Sequence, residues 1–539
     1  MSIRSIRALL ADDPRVGAGN VLTSRIALGL GLDDPLLTFD TPVDGRTAWQ
    51  PFTLRDLDRA VRARAAALHA LGVSRRDPVA VYTSDASDTV LAFLALARLG
   101  AIPALVNPNL EGERAARYIH RLNATGVLAD AAHQATLTGH DTGTPLLPEI
   151  TGLGAGDPDA APDAYPYSAD DPVAITHSSG TTGMPKAVVH SHQSLYAAIR
   201  HRLTLPRAQG TERLLSALPA PHAATLIAVN LALSSHAQLA LLSTQSGANV
   251  LDAAERWRPG GVLGFASTWA ELAHHDLTKR QLDTISVWWN TGDCAHEAHI
   301  RRLVAVGSRA TVHRGVRSRV PGSVFVDGLG STEMGHSHFF ITHSPESDRY
   351  GRCVGRPHTF VDCAVLDPDG EPLGPGQVGE LGTRSPTLAL GYWNDSATTY
   401  RTRVRGYFLT GDLMYRDEEG YYYHVDRAAD SVELGDGQRL FTAMSEERVL
   451  AACPDVLDCT VVAARDGERV VTDVLLRLHS GADPDADRAK EVTAALEPAT
   501  AATVRRVLVV DERSIPLGPT GKVRKVLLRR RHLEGMAAR

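Results

Sequence analysis

Thr176-His177-Ser178-Ser179-Gly180-Thr181-Thr182-Gly183-Met184-Pro185-Lys186 is the stretch on which the reading of this chain turns. It follows an apolar strand, Val173 to Ile175, and reads as leading into a helix that begins near Ser191. Glycines let backbone N–H groups approach an anion and hydroxyls add donors, so the spacing predicts a strand-to-helix phosphate cradle. It is not a Walker A loop, because Lys186 is followed by Ala187 rather than by Ser or Thr. Lysine is scarce here: of 56 basic residues only Lys186, Lys279, Lys490, Lys522 and Lys525 are lysines. A compact ammonium and a guanidinium are not interchangeable, which singles out Lys186 and Lys522.

Upstream of the cradle, helix and strand patterns alternate. Leu54 to Leu71 carries apolar positions at helical spacing and ends at Gly72. A strand over Pro78 to Tyr82, a helix over Thr89 to Leu99 stopped by Gly100, and a strand over Ile102 to Val106 follow. This alternation predicts an α/β layered architecture. Gly152 to Asp171, rich in Gly, Pro, Ala and Asp, reads as a surface loop. After Val365 short strands and turn signals predict a β-rich unit, and the composition shifts again near Asp426 to Gly437. The expected organisation is a large N-terminal region over 1–427, with a β-rich subdomain at about 360–427, and a small C-terminal α+β domain over 428–539.

Composition narrows the function classes. With 43% hydrophobic and 22% charged residues, the 539-residue chain reads as a soluble globular protein. A net charge of −6 and no basic run before Arg524 to Arg531, read as a solvated terminal helix, argue against nucleic-acid partners. Five cysteines without CxxC spacing, and a start that meets charges before any apolar run, predict a reducing, cytoplasmic setting without a secretory leader. Leu214 to Leu251 lacks Asp, Glu, Lys and Arg, yet its prolines and polar residues leave no apolar span long enough for a membrane. It reads as a buried helix and strand. His336 and His338, placed on one face of a strand with His343 nearby, lack a further well-spaced ligand, so no transition-metal site is expected.

The cradle resembles the signature of the adenylate-forming superfamily, which includes acyl-CoA synthetases, peptide-synthetase adenylation domains and luciferases. Further blocks resemble that family in its order: Gly330-Ser331-Thr332-Glu333, Gly379-Glu380-Leu381 with Gly391-Tyr392-Trp393, Thr410-Gly411-Asp412-Leu413, Asp426-Arg427, and Pro519-Thr520-Gly521-Lys522. The resemblance implies that Ser178, Ser179, Gly180, Thr181, Thr182, Gly183 and Lys186 hold the phosphates of ATP, with Gly330 and Ser331 beside them. It implies that Thr332 contacts the α-phosphate, Glu333 holds Mg²⁺, Asp412 accepts from the ribose hydroxyls and Arg427 lies by a hinge. It also implies that the C-terminal domain is mobile and delivers Lys522 as the catalytic ammonium.

The chemistry accounts for that set. A carboxylate attacking the α-phosphate meets like charge, which a divalent cation and an ammonium offset in the transition state. Asp327-Gly328-Leu329-Gly330-Ser331-Thr332-Glu333-Met334 is similar to the wording in benzoate-type aryl-CoA ligases, so an aryl acid is the expected substrate. His222 resembles the family's residue bordering the acyl pocket, and Gly292 and Asp293 stand where that pocket's loop is found. Asp293 is an unexpected carboxylate there, assigned to an amino or hydroxyl group of the substrate. Three positions depart from the family: Ala187 after Lys186, Ala429 at the hinge and Glu433 in the hairpin Ser431 to Leu440. The expected reaction is ATP-dependent conversion of a carboxylic acid to its acyl-AMP and then to a CoA thioester. Delivery to a carrier protein or a nitrogen nucleophile, and a catalytically silent nucleotide binder, stay open as alternatives.

Overall fold

The computed structural model describes residues 3–178, 184–313, 316–435, 437–479, 481–483, 485–511, 514–516 and 523–537. Two large sheets form the frame. In the six-stranded sheet, Gly126–Ala129, Pro78–Tyr82, Ile102–Leu105 and Pro172–Ser178 run parallel, and Lys186–Ser191 returns antiparallel. The fourteen-stranded sheet is parallel through Gln238–Leu241, Arg213–Ser216, Gly261–Phe265, Val287–Thr291 and Val324–Asp327. From Phe339–His343 onward it is antiparallel, and this half contains the β-rich unit expected after Val365. Mixed α/β architecture follows, as expected.

One apolar cluster joins the two sheets through helices laid between them. The helix Leu54–Ala70 starts in a reciprocal capping box between Thr53 and Asp56. The helix Ala86–Leu99 is capped by Asp85 and stopped by Gly100 at φ +71°, where a Cβ would sit 2.4 Å from the Tyr165 ring. The charge-free stretch becomes the helix Ala223–Ser235, buried on most sides, and the strand Gln238–Leu241. An all-round apolar helix belongs inside a core as readily as inside a lipid bilayer. No helix among the described residues is long and apolar enough to cross a membrane.

The cradle is reached differently from the expectation. Lys186–Ser191 is a strand, not the approach to a helix, and Ser178 pairs with Lys186 across the top of a hairpin. Val188 and Val189 favour extended backbone, and the next helix, Ala197–Thr204, starts only after a further turn. No helix therefore starts directly behind Lys186, which corrects the strand-to-helix setting read from the sequence.

Toward the C-terminus a three-stranded sheet, Val456–Asp466, Arg469–Leu478 and Val504–Val509, packs with the helices Thr442–Ala452 and Arg488–Ala495 around a separate apolar cluster. The terminal basic stretch is not simply solvated. Arg529 donates to the Ala429 carbonyl at 2.8 Å and to Asp430 at 3.0 Å, gripping the expected hinge.

Asp88, buried in the helix Ala86–Leu99, makes a test of the packing. Burial and the neighbouring Asp85 push its carboxyl up from 3.8 to about 7. A folded pKa above the unfolded one means that ionisation opposes folding, so this group's contribution to stability falls as pH rises through that window. Asp88→Asn should melt above the wild type at about pH 8 and lose the advantage near pH 4. Equal differences in melting temperature at the two pH values would contradict the assignment.

Candidate active site

The block Gly330-Ser331-Thr332-Glu333 follows the strand Val324–Asp327 and lies against the hairpin that presents the cradle. Gly330 forms an isolated bridge with Ser337, and a Cβ on it would come 2.7 Å from the His336 carbonyl, so only glycine fits. Ser331 Oγ accepts from the Met334 N–H at 3.2 Å, closing the turn. Thr332 is buried, and its hydroxyl donates to the His177 carbonyl at 3.4 Å, on the strand that ends at Ser178. Glu333 Oε1 accepts from the Tyr392 hydroxyl at 3.0 Å, and the Lys186 ammonium stands 5.1 Å from the same tyrosine ring. Lys186 of the cradle and the acid of the second block are thus brought together through Tyr392. Ser179, Gly180, Thr181, Thr182, Gly183 and Lys522 lie outside the described residues.

Asp412 is buried at 4% relative exposure, yet its carboxyl is held well below the usual range. Burial opposes ionisation; Arg427, with Nη1 at 2.8 Å, and His424, with Nε2 at 3.4 Å, outweigh it. Arg352 Nη2 donates to His424 Nδ1 at 2.7 Å, which fixes the proton on Nε2 and directs it to Asp412. Arg352 also lies 3.9 Å from Asp293, and its backbone sits at φ +62°. Arg427 is held strongly protonated by Asp412, with Asp293 and Glu333 adding to the effect. The expected ribose, hinge, pocket and metal residues therefore share one field of charge. Glu380 joins them by accepting from the Gly411 N–H at 3.0 Å.

The pocket residues divide into two groups. His222 caps the helix Ala223–Ser235 and meets Phe265 edge-on with ring centres 4.8 Å apart. Gly292, at φ +91°, lies against that phenylalanine. Asp327 stands behind the loop instead of lining it. It is fully buried, accepting from Asn290 Nδ2 at 2.6 Å and from the Ala295 N–H at 3.2 Å. Burial pushes its carboxyl up to about 6. Its part is to hold the Gly292-Asp293 turn in place.

His336 and His338 do not share a strand face. His338 is taken up by Thr383 and Thr387, at 2.7 and 2.9 Å, while His336 points elsewhere. From the C-terminal part, Glu447 reaches back to His296 at 2.6 Å, close behind Asp293 and Cys294. Lys525 is bound to Glu446 and Thr442, each at 2.7 Å.

No preformed group of three acidic, histidine or cysteine ligands exists among the described residues. A divalent ion at Glu333 would take one protein oxygen and complete its shell with phosphate and water, which is how Mg²⁺ is commonly held beside nucleotides. Glu333 and the ionised Asp412 suit a magnesium nucleotide.

Residues 33–393 match the family model described as AMP-binding enzyme. The chain is 43% identical to a 3-aminoavenalumate diazotase of Streptomyces sp over 98% of both chains. It is 28% identical to a feruloyl-CoA synthase of Amycolatopsis sp over 77% of this chain and 81% of that one. An anthranilate CoA ligase solved with anthranoyl-AMP superposes with a TM-score of 0.81, covering 96% of this chain and 98% of that one at 19% identity.

Proposed function

The chain belongs to the AMP-binding enzyme family, and we propose that it adenylates nitrite in order to diazotise an amino-substituted aryl acid. Adenylate formation is what the family carries; the diazotising form is favoured by the 43% identity along the whole chain to an amino-aryl acid diazotase.

Turning an arylamine into a diazonium ion requires a second nitrogen at the oxidation level of nitrite. Nitrite, like a carboxylate, is a delocalised oxyanion, so its oxygen can attack the α-phosphate in the place of an acid. The bond from the α-phosphorus to the leaving pyrophosphate breaks, and a nitrosyl adenylate results. The amine nitrogen then attacks the nitroso nitrogen and AMP leaves. The N-nitroso ammonium first formed loses one proton, and its remaining N–H proton moves to the nitroso oxygen to give the diazohydroxide. That hydroxyl takes up a proton and leaves as water, giving the diazonium. No external oxidant or reductant enters.

Glu333 would hold the divalent cation, which supplies charge neutralisation on the phosphates. Ser178, Ser179, Gly180, Thr181, Thr182, Gly183 and Lys186 would hold those phosphates, with Gly330, Ser331 and Thr332 at the α-position. Asp412, locked in its ionised form, would accept from the ribose with Arg427 beside it. Lys522 would stand between the attacking and bridging oxygens. His222, Gly292 and Asp293 would border the aryl substrate, with Asp293 facing its amine. The hinge near Arg427 and a pivoting 428–539 domain belong to this reading, and the five free cysteines suit a cytoplasmic setting.

A second reading, activation of the aryl carboxylate and transfer to CoA, is favoured by the likeness to a feruloyl-CoA synthase. Ala429 and Glu433 weigh against it at the hinge. Pyrophosphate release from magnesium ATP, followed with an amino-aryl acid with and without nitrite and with and without CoA, separates the two. Nitrite-dependent release with a diazonium trapped by a coupling phenol is the expected result. Release that needs CoA and ignores nitrite would replace it with the thioester reading.

A further inference from the structure

We propose that the end of the aryl pocket remote from the nucleotide is a cationic site for the substrate's own carboxylate, formed by Arg202 with His201, His336 and His358. This rests on the diazotising reading and adds to it the direction in which the substrate lies.

The strands Gly261–Phe265 and Val287–Thr291 run parallel, with Leu263 opposite Trp289 and Phe265 opposite Thr291. Alternation puts Phe265, Trp289 and Thr291 on one face. Phe265 is the end that meets His222 and Gly292. Trp289 lies two residues back, about 7 Å further from the nucleotide side. Over its ring stands the Arg202 guanidinium, 5.5 Å from the ring centre. Arg202 belongs to the helix Ala197–Thr204, and no carboxylate pairs with it among the described residues.

Histidines surround the same corner. His201 meets Phe360 at 5.1 Å, Phe360 stacks on His358 at 5.2 Å, and His358 lies 6.0 Å from His336. His336 Nδ1 donates to the Ser337 carbonyl at 2.8 Å, so Nε2 of the neutral ring carries a lone pair and turns donor when protonated. Burial holds His336 and His358 neutral, and every charged neighbour acting on them is basic. A half-buried cation among neutral imidazoles, without an acid, is costly unless a ligand brings one. A carboxylate placed there would pair with Arg202 and draw a proton onto a neighbouring histidine.

The direction matters chemically. A ligase that adenylates a carboxylate keeps that carboxylate at the α-phosphate, and a cation at the far end would have no partner. A diazotising enzyme must bring the amine to the adenylated nitrite, so the carboxylate points away, toward Arg202.

The test is calorimetric binding of 3-aminocinnamic acid and its carboxamide to the full chain with AMP present, in wild type, Arg202→Gln and Arg202→Lys. The acid should bind wild type about 10–100-fold more tightly than the amide, a difference of about 1.4–2.7 kcal/mol. Arg202→Gln should lose that preference with amide binding unchanged, and Arg202→Lys should restore part of it. Unchanged amide binding also serves as the check that Arg202→Gln folds. An acid preference that survives Arg202→Gln, or its absence in wild type, would overturn the proposal. Absence of nitrite-dependent turnover, with the Arg202 effect intact, would instead remove the diazotising reading and leave the anion site standing.

Discussion

Asp412→Ala should abolish measurable pyrophosphate release and lower the melting temperature by several degrees. The carboxylate is buried and ionised because Arg427 and His424 outweigh the cost of burial. Removing it leaves Arg427 facing an empty acceptor and strips His424, already fixed by Arg352, of the group its Nε2 proton addresses. Asp412 is buried, but Arg427 keeps 43% of its side chain exposed, so water screens the charge left behind and the cost is about 1–3 kcal/mol. Asp412→Asn keeps the volume but aims an amide N–H₂ at two donors, so the expected loss of stability is similar. The pH dependence distinguishes this from a simple cavity. A folded pKa below the unfolded 3.8 means that the stabilisation is complete above 3.8 and disappears as pH falls through the folded value. The gap between wild type and Asp412→Asn should therefore be full at about pH 7 and close only in strong acid. Thermal melting across that range checks the sign, and a gap independent of pH would show that packing alone was lost.

The layered α/β frame was legible because its signals are local. Pro78 to Tyr82 forms the strand read from its apolar run, and the helix read from Leu54 ends at Ala70, within a turn of Gly72. The stop at Gly100 follows from a left-handed cap that only glycine fits. The strand Lys186–Ser191 was hidden because its six residues show no periodicity and Ser191 looks like a helix cap; pairing with Pro172–Ser178 decides the matter. The electrostatic half of the site was hidden for another reason. Arg352 finds His424 72 residues away, His296 finds Glu447 151 away, and Tyr392 finds Glu333 59 away. No motif spans such distances. One trace was present in Gly351-Arg352, since a turn that holds arginine at φ +62° usually answers to something fixed in space. Asp327 shows the opposite error. Its place within a substrate-like wording drew it into the pocket, whereas desolvation and two strong hydrogen bonds make it the pin behind the loop.

Glu333→Gln should reduce pyrophosphate release at saturating ATP by about 100- to 1,000-fold while leaving the melting temperature close to that of wild type. The contrast with Asp412 follows from their surroundings. Glu333 is half-buried with one oxygen taken by the Tyr392 hydroxyl, and glutamine keeps that acceptor. What glutamine lacks is the charge that a hard cation requires, so the loss falls on the step in which negative charge gathers on the leaving phosphates. Burial and Glu333 together raise the Tyr392 phenol far above its ordinary range, so it remains a donor throughout. Tyr392 thereby engages one oxygen of the carboxylate, and the other is the one assigned to the proposed cation. Tyr392→Phe should for that reason cost far less than Glu333→Gln, about tenfold or under, and the cost should shrink as magnesium is raised. Steady-state pyrophosphate release titrated with magnesium measures both variants. If Glu333→Gln stays within tenfold of wild type at every magnesium concentration, another group holds the cation.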